Sequence, residues 1–201
     1  MKFFYTLFIP LLFIFPASLE EKGITLHEIT FLENYYHETF KILEEEVDDL
    51  TRNQLNYRPK DGGWSVIECL EHIILAEEAL FQNMKRVINQ NQTNLTKNVS
   101  SKDGLVITGI TNRGVRAKTQ KPFEPTGRWK TKKEMIETIK SNREKTLNFI
   151  KKNRSYNVRH LFTESPVGEI DLYQFYILYA AHGHRHTLQI KEILREQKEA
   201  N

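Results

Sequence analysis

Apolar residues recur at steps of three and four along four long stretches of the chain, and that period predicts helices. The longest stretch runs from Asp171 to about Lys198, where Phe175, Tyr179, His182, His186, Gln189, Ile190 and Ile193 fall on one stripe. From Thr25 to Leu50 the stripe is Leu26, Ile29, Leu32 or Phe31, Tyr36, Phe40, Leu43, Val47 and Leu50, with Glu and Asp filling the other side. Pro59, Gly62 and Gly63 then break the chain. Ser65, followed three residues on by Glu68, has the form of a capping box that starts a helix near Val66, running to about Asn89. A similar pairing of Thr131 with Glu134 starts a further helix that ends near Asn153.

Between these stretches the signals change. Asn and Thr dominate residues 89–98, and Gly104, Gly109, Gly114, Pro122, Pro125 and Gly127 punctuate the chain beyond them. Residues 90–130 therefore read as irregular, with short extended pieces such as Leu105–Ile110. Residues 155–170 read as a loop, and Asp171 as the N-cap of the last helix. The resulting expectation is an all-α domain: a four-helix bundle with a long crossover loop between helices two and three.

The first eighteen residues stand apart. Lys2 precedes an almost continuous apolar run, Phe3 to Phe15, too short for a comfortable bilayer span and about right for a secretory signal. Small residues come next at Ala17 and Ser18, but Phe15 and Pro16 sit where a signal peptidase prefers a small side chain. The chain therefore divides into 1–18, a signal peptide or an uncleaved N-terminal anchor, and 19–201, the domain. The expected location is extracytoplasmic, in the periplasm or at the outer face of a bacterial membrane.

Composition narrows the field further. The 201 residues are 39% hydrophobic and 27% charged, which suits one domain with a real core. A net charge of +3 is spread among interleaved acids and bases, so no nucleic-acid partner is expected. The single cysteine, Cys69, excludes an intramolecular disulfide and reads as a small buried hydrophobe.

Candidate chemistry centres on histidine. His182 and His186 lie one turn apart on the same helical face and can reach a common point, and neutral imidazole is a usual ligand for zinc and its neighbours. On helix two, His72 sits amid Cys69, Leu75, Ala76 and Ala79, either as a hydrogen-bonded core histidine or as a third ligand. Three histidines on facing helices would leave coordination positions open, as catalytic rather than structural sites do. His27 and His37 read as surface or packing residues, His160 as a loop histidine, and His184 as lying on the opposite side of its helix. Glu68 is the acidic candidate nearest His72, with N3 capping as its competing role. The His-Gly-His-Arg-His run lacks the glutamate of the zinc-protease helix motif, and no phosphate-cradling glycine motif is present.

Several landmarks in order resemble the DinB/YfiT-like superfamily. They are Leu55-Asn56-Tyr57-Arg58-Pro59, then Gly63-Trp64-Ser65-Val66-Ile67-Glu68 and His72, then Lys121-Pro122-Phe123-Glu124-Pro125, Arg143, and His182 to His186 with Gln189-Ile190. The resemblance spans about Ile24 to Leu194. It implies an antiparallel bundle, frequently a homodimer, that holds a divalent metal (zinc, nickel or iron) through His72, His182 and His186. It also implies a small-molecule substrate, handled either by hydrolysis or by thiol-dependent S-transfer. An exported chain departs from the cytoplasmic thiol-using members, since low-molecular-weight thiols are mainly cytoplasmic. Two functions are therefore expected to compete: a metal-dependent hydrolase or transferase, and a non-enzymatic metal- or ligand-binding bundle.

Overall fold

The structure is a computed structural model and describes residues 23–90, 93–115 and 118–200. The expected signal or anchor at 1–18 lies outside the described residues. The described chain forms α1 (Leu26–Val47), α2 (Arg52–Asn56), α3 (Val66–Asn89), α4 (Asp103–Thr111), α5 (Lys132–Lys152), a hairpin of β1 (Phe162–Ser165) and β2 (Gly168–Asp171), and α6 (Leu172–Ala200). No described helix is long and apolar enough to cross a membrane.

Local chemistry sets most helix starts. Thr25 with Glu28, Thr51 with Gln54 and Ser65 with Glu68 each form a complete capping box. At α5 only half of the expected box forms. Thr131 accepts from the Glu134 backbone at 3.1 Å, while the Glu134 carboxylate turns to the Lys130 N–H at 3.2 Å. Asp171 accepts from the Gln174 N–H at 2.7 Å, which caps the first turn of α6.

Side-chain bonds give the direction of the four long helices. Lys132 at the start of α5 donates to the Val47 carbonyl at the end of α1 (2.8 Å), and Lys151 near the end of α5 pairs with Glu33 early in α1, so these two run antiparallel. Tyr179 donates to Glu77 at 3.3 Å, while the rings of His72 and His186 are 4.4 Å apart, so α3 and α6 are antiparallel as well. The other two seams are parallel. Tyr173 bonds to the Glu28 carbonyl (3.2 Å) and Lys191 pairs with Glu46 (3.4 Å) between α6 and α1; Arg143 bonds to Glu77 (3.0 Å) and Phe149 meets Phe81 (5.3 Å) between α5 and α3. The wholly antiparallel expectation therefore holds for two seams of four.

The connections also differ from the sequence reading. Leu105–Ile110, expected to be extended, lies within α4. Its β-branched run suits a strand in isolation, but Val106 and Ile110, four apart, are buried in the cluster that packs on α6, and that burial decides. The 155–170 loop holds the hairpin, in which Phe162 pairs with Asp171 and Ser165 with Gly168, whose φ of +92° suits the tight turn.

Two apolar clusters divide the core along α6. One surrounds Tyr176, Ile177 and Ala180 with Tyr36, Met84 and Ile150; the other surrounds Ile190 and Ile193 with Leu43, Leu70 and Ile139. Each fully buried Leu or Ile contributes roughly 1.5–3 kcal/mol. His182 and His186 fall between the two clusters.

Candidate metal centre

His182 and His186 meet His72 in the gap between the core clusters. The three present ligand-type nitrogens that all lie within 4.8 Å of one another, the one such group among the described residues. Ring centroids are 5.2 Å apart for His72 and His182, 4.4 Å for His72 and His186, and 4.6 Å for His182 and His186. The Nε2 atoms of His182 and His186 are 3.3 Å apart. Two nitrogens held about 2.0–2.1 Å from one tetrahedral ion are separated by about 3.3–3.4 Å, so the pair has the spacing a zinc-like ion needs.

The far nitrogens are tied down. The Nδ1 of His72 lies 2.7 Å from the carbonyl oxygen of Phe123 and that of His186 lies 2.9 Å from Oε1 of Gln189. Both partners are acceptors, so each Nδ1 carries the hydrogen and each Nε2 keeps its lone pair. Such outer bonds fix tautomer and ring orientation in metal sites. The Nδ1 of His182 is buried without a partner among the described residues. Trp64, just before the cap of α3, packs on His72 at 4.7 Å between centroids.

Burial holds these imidazoles neutral. It pushes His72 below its ordinary range against the opposing bond to Phe123. Burial, then His72, Arg185 and Arg143, lowers His182 to about 3; burial, then His182 and His72, holds His186 well below the usual range. At neutral pH all three offer lone pairs rather than protons.

Glu71 fastens the segment that carries Phe123. Its carboxylate accepts from the backbone N–H groups of Thr126 (2.9 Å), Gly127 (2.8 Å) and Arg128 (3.0 Å) and from the Thr126 hydroxyl (2.9 Å). Burial pushes the Glu71 pKa up, but those donors outweigh it and the net shift is downward. Behind α6, Arg143 bonds to Glu77 (3.0 Å), Tyr36 (3.1 Å) and Thr39 (2.9 Å), and its guanidinium lies where a side chain on Gly183 would project. Burial, more than Arg143 offsets, lifts the Glu77 carboxyl to about 7.

An open cavity of about 660 Å³ reaches His186, with Trp64, Gln189, Glu124 and Arg113 among its walls. Arg113 is paired with Glu192 at 2.8 Å, and Arg185 donates to the Ile110 carbonyl at 2.9 Å, so both hold structure as well as charge. The Glu124 N–H donates to the Lys121 carbonyl at 3.2 Å, while its carboxylate has no partner among the described residues. Glu68 does not reach this cavity: one oxygen accepts from Ser65 (2.8 and 3.0 Å), the other pairs with Arg58, and the residue lines a different hollow. His160 bonds to the Asn94 carbonyl at 2.9 Å, His27 and His37 are exposed, and Cys69 is fully buried with its thiol pKa pushed up by burial.

Sequence reasoning missed Glu71 and Glu124 as parts of this site. A buried acid one residue before His72 is a signal only once its loop partners are known.

Residues 35–190 match the model of the DinB superfamily. The chain belongs to the DinB superfamily. Among solved structures it is similar to YfiT from Bacillus subtilis, described as "a probable metal-dependent hydrolase with an unusual four-helix bundle topology". That likeness has a TM-score of 0.60 at 16% identity and covers 88% of this chain and 91% of YfiT, which shows a shared four-helix-bundle fold. No match is found among curated proteins. Within this DinB fold the three clustered histidines and the cavity beside them are the features to which a function attaches.

Proposed function

We propose that this protein is an extracytoplasmic metal-dependent hydrolase of small molecules, with His72, His182 and His186 holding one divalent ion. The observation that carries this reading is the convergence of three neutral imidazoles, two with their outer nitrogens bonded to acceptors, at a spacing that fits a tetrahedral ion. Zinc, nickel and iron all accept such a donor set. A bound ion would supply Lewis acidity at the edge of the cavity.

The protein's own groups supply the rest. Trp64 shields His72 from solvent, and the Phe123 carbonyl and Gln189 aim the rings. Glu124, on the cavity wall and next to Phe123, whose carbonyl bonds His72, is the carboxylate assigned to accept a proton. That carboxylate favours catalysis over a purely binding role. The segment from α3 to α5, with α4 in it, acts as the crossover and frames the cavity. S-transfer stays the weaker branch, because an exported chain would lack the cytoplasmic thiol.

The test is metal content of the purified protein and of His72→Ala and His182→Ala, followed by an ester and amide substrate screen. About one ion per chain, lost in both variants together with any hydrolysis found, supports the reading. Unchanged metal content in the variants overturns it.

A further inference from the structure

The described chain begins at one end of the bundle. Its first described residue, Gly23, is packed on the backbone of Arg154 and Ser155, and the Ile24 N–H bonds to the Arg154 carbonyl at 2.8 Å. That end therefore carries both the start of α1 and the residues just past α5. Its surface includes Leu26, 73% exposed, and Tyr156, 45% exposed, beside the exposed bases Lys152 and Arg154. Single exposed apolar residues are ordinary on a protein surface. Here, however, only residues 16–22 separate the run Phe3–Phe15 from Gly23, a linker that spans about 25 Å at most when fully extended.

We propose that this end of the bundle is a membrane-contacting surface, with Leu26 and Tyr156 seated at the headgroup level and Lys152 and Arg154 facing lipid phosphates. An aromatic side chain with a polar tip and neighbouring bases is the composition that favours such an interface. The proposal rests on the apolar run being retained as an anchor and is independent of the metal reading. It fixes the orientation of the molecule. The helix α6 starts at this same end, beside α1, and Glu199 on the cavity wall lies about 40 Å further along its axis at 1.5 Å per residue. The cavity, which α6 lines from His186 to Glu199, thus lies toward the end of the bundle away from the bilayer.

The test uses the full chain reconstituted in phosphatidylcholine–phosphatidylglycerol vesicles that contain spin-labelled lipid. A fluorophore is attached at Ser155→Cys or Glu199→Cys, native Cys69 being fully buried. Quenching several-fold stronger at position 155 than at 199, and lost when Leu26→Asp and Tyr156→Asp are added, is expected. Equal quenching at both positions, none at 155, or no loss in the double substitution overturns the proposal. So does recovery from cells of a soluble chain lacking residues 1–18. Metal content of the same preparations reads out the hydrolase proposal separately.

Discussion

The guanidinium of Arg143 lies against the bare backbone of Gly183, in the place a methyl group there would occupy. Gly183 is the residue after His182, so the contact sets how closely the histidine-bearing turn of α6 can approach α5. In an exposed helix, alanine in place of glycine stabilises by about 0.5–1 kcal/mol. Gly183→Ala should do the reverse and lower stability by about 1–3 kcal/mol, with reduced metal content, because Arg143 is buried and held by three partners. Denaturant titration of wild type and variant decides the sign.

Glu71→Gln should loosen the loop over His72. The amide presents hydrogens where three backbone N–H groups converge, and each donor left unpaired costs about 1–3 kcal/mol. Hydrogen exchange should quicken at residues 126–128, and metal affinity should fall about 10–100-fold as the Phe123 carbonyl releases His72. Unchanged exchange there would remove Glu71 from this role.

Two carboxylates should separate cleanly. Glu68→Gln keeps the capping box, as Gln54 does in α2, loses the ion pair with Arg58, and should cost no more than about 1 kcal/mol of stability without touching catalysis. Glu124→Gln should leave stability and metal content unchanged and lower hydrolysis about 10²–10⁴-fold. Parallel melting curves and rates on any substrate found in the screen test both; a slow Glu68→Gln with a fast Glu124→Gln reverses the assignment.

Acid should destabilise the metal-free protein through its histidines. In the unfolded chain an imidazole takes a proton near pH 6.5, while folded His182 refuses one until about 3, so the unfolded state binds more protons across that interval. Stability is therefore full above the unfolded pKa and falls as pH drops through it toward the folded value. Urea midpoints of chelator-treated protein between about pH 7.5 and 4.5 should decline, with a shallower decline in His182→Ala. Equal slopes would mean that other groups carry the acid sensitivity.

Features encoded within one turn of chain were legible in the sequence: the Ser65–Glu68 cap, the His182–His186 spacing and the inward setting of His72 amid small side chains. The extended reading of Leu105–Ile110 failed because its β-branched residues give the local preference, while burial of Val106 and Ile110 against a distant helix gives the answer. The parallel seams left no trace in periodicity, since a stripe marks a buried face and not the direction of its neighbour. The hairpin was hidden by shortness, four residues a strand. Glu71 had no readable role, because its partners are fifty-five to fifty-seven positions away.

The helix α6 packs against α1, α3 and α4 and runs through both apolar clusters. Everything it organises is synthesised before it. A nascent chain that has finished α5 still lacks the surface on which its earlier helices close, so folding waits for residues 172–200 to emerge. Contacts of such long sequence separation form late and slowly. A chain cut short before Leu172 therefore keeps α1, α3 and α4 but has no surface on which the three can close.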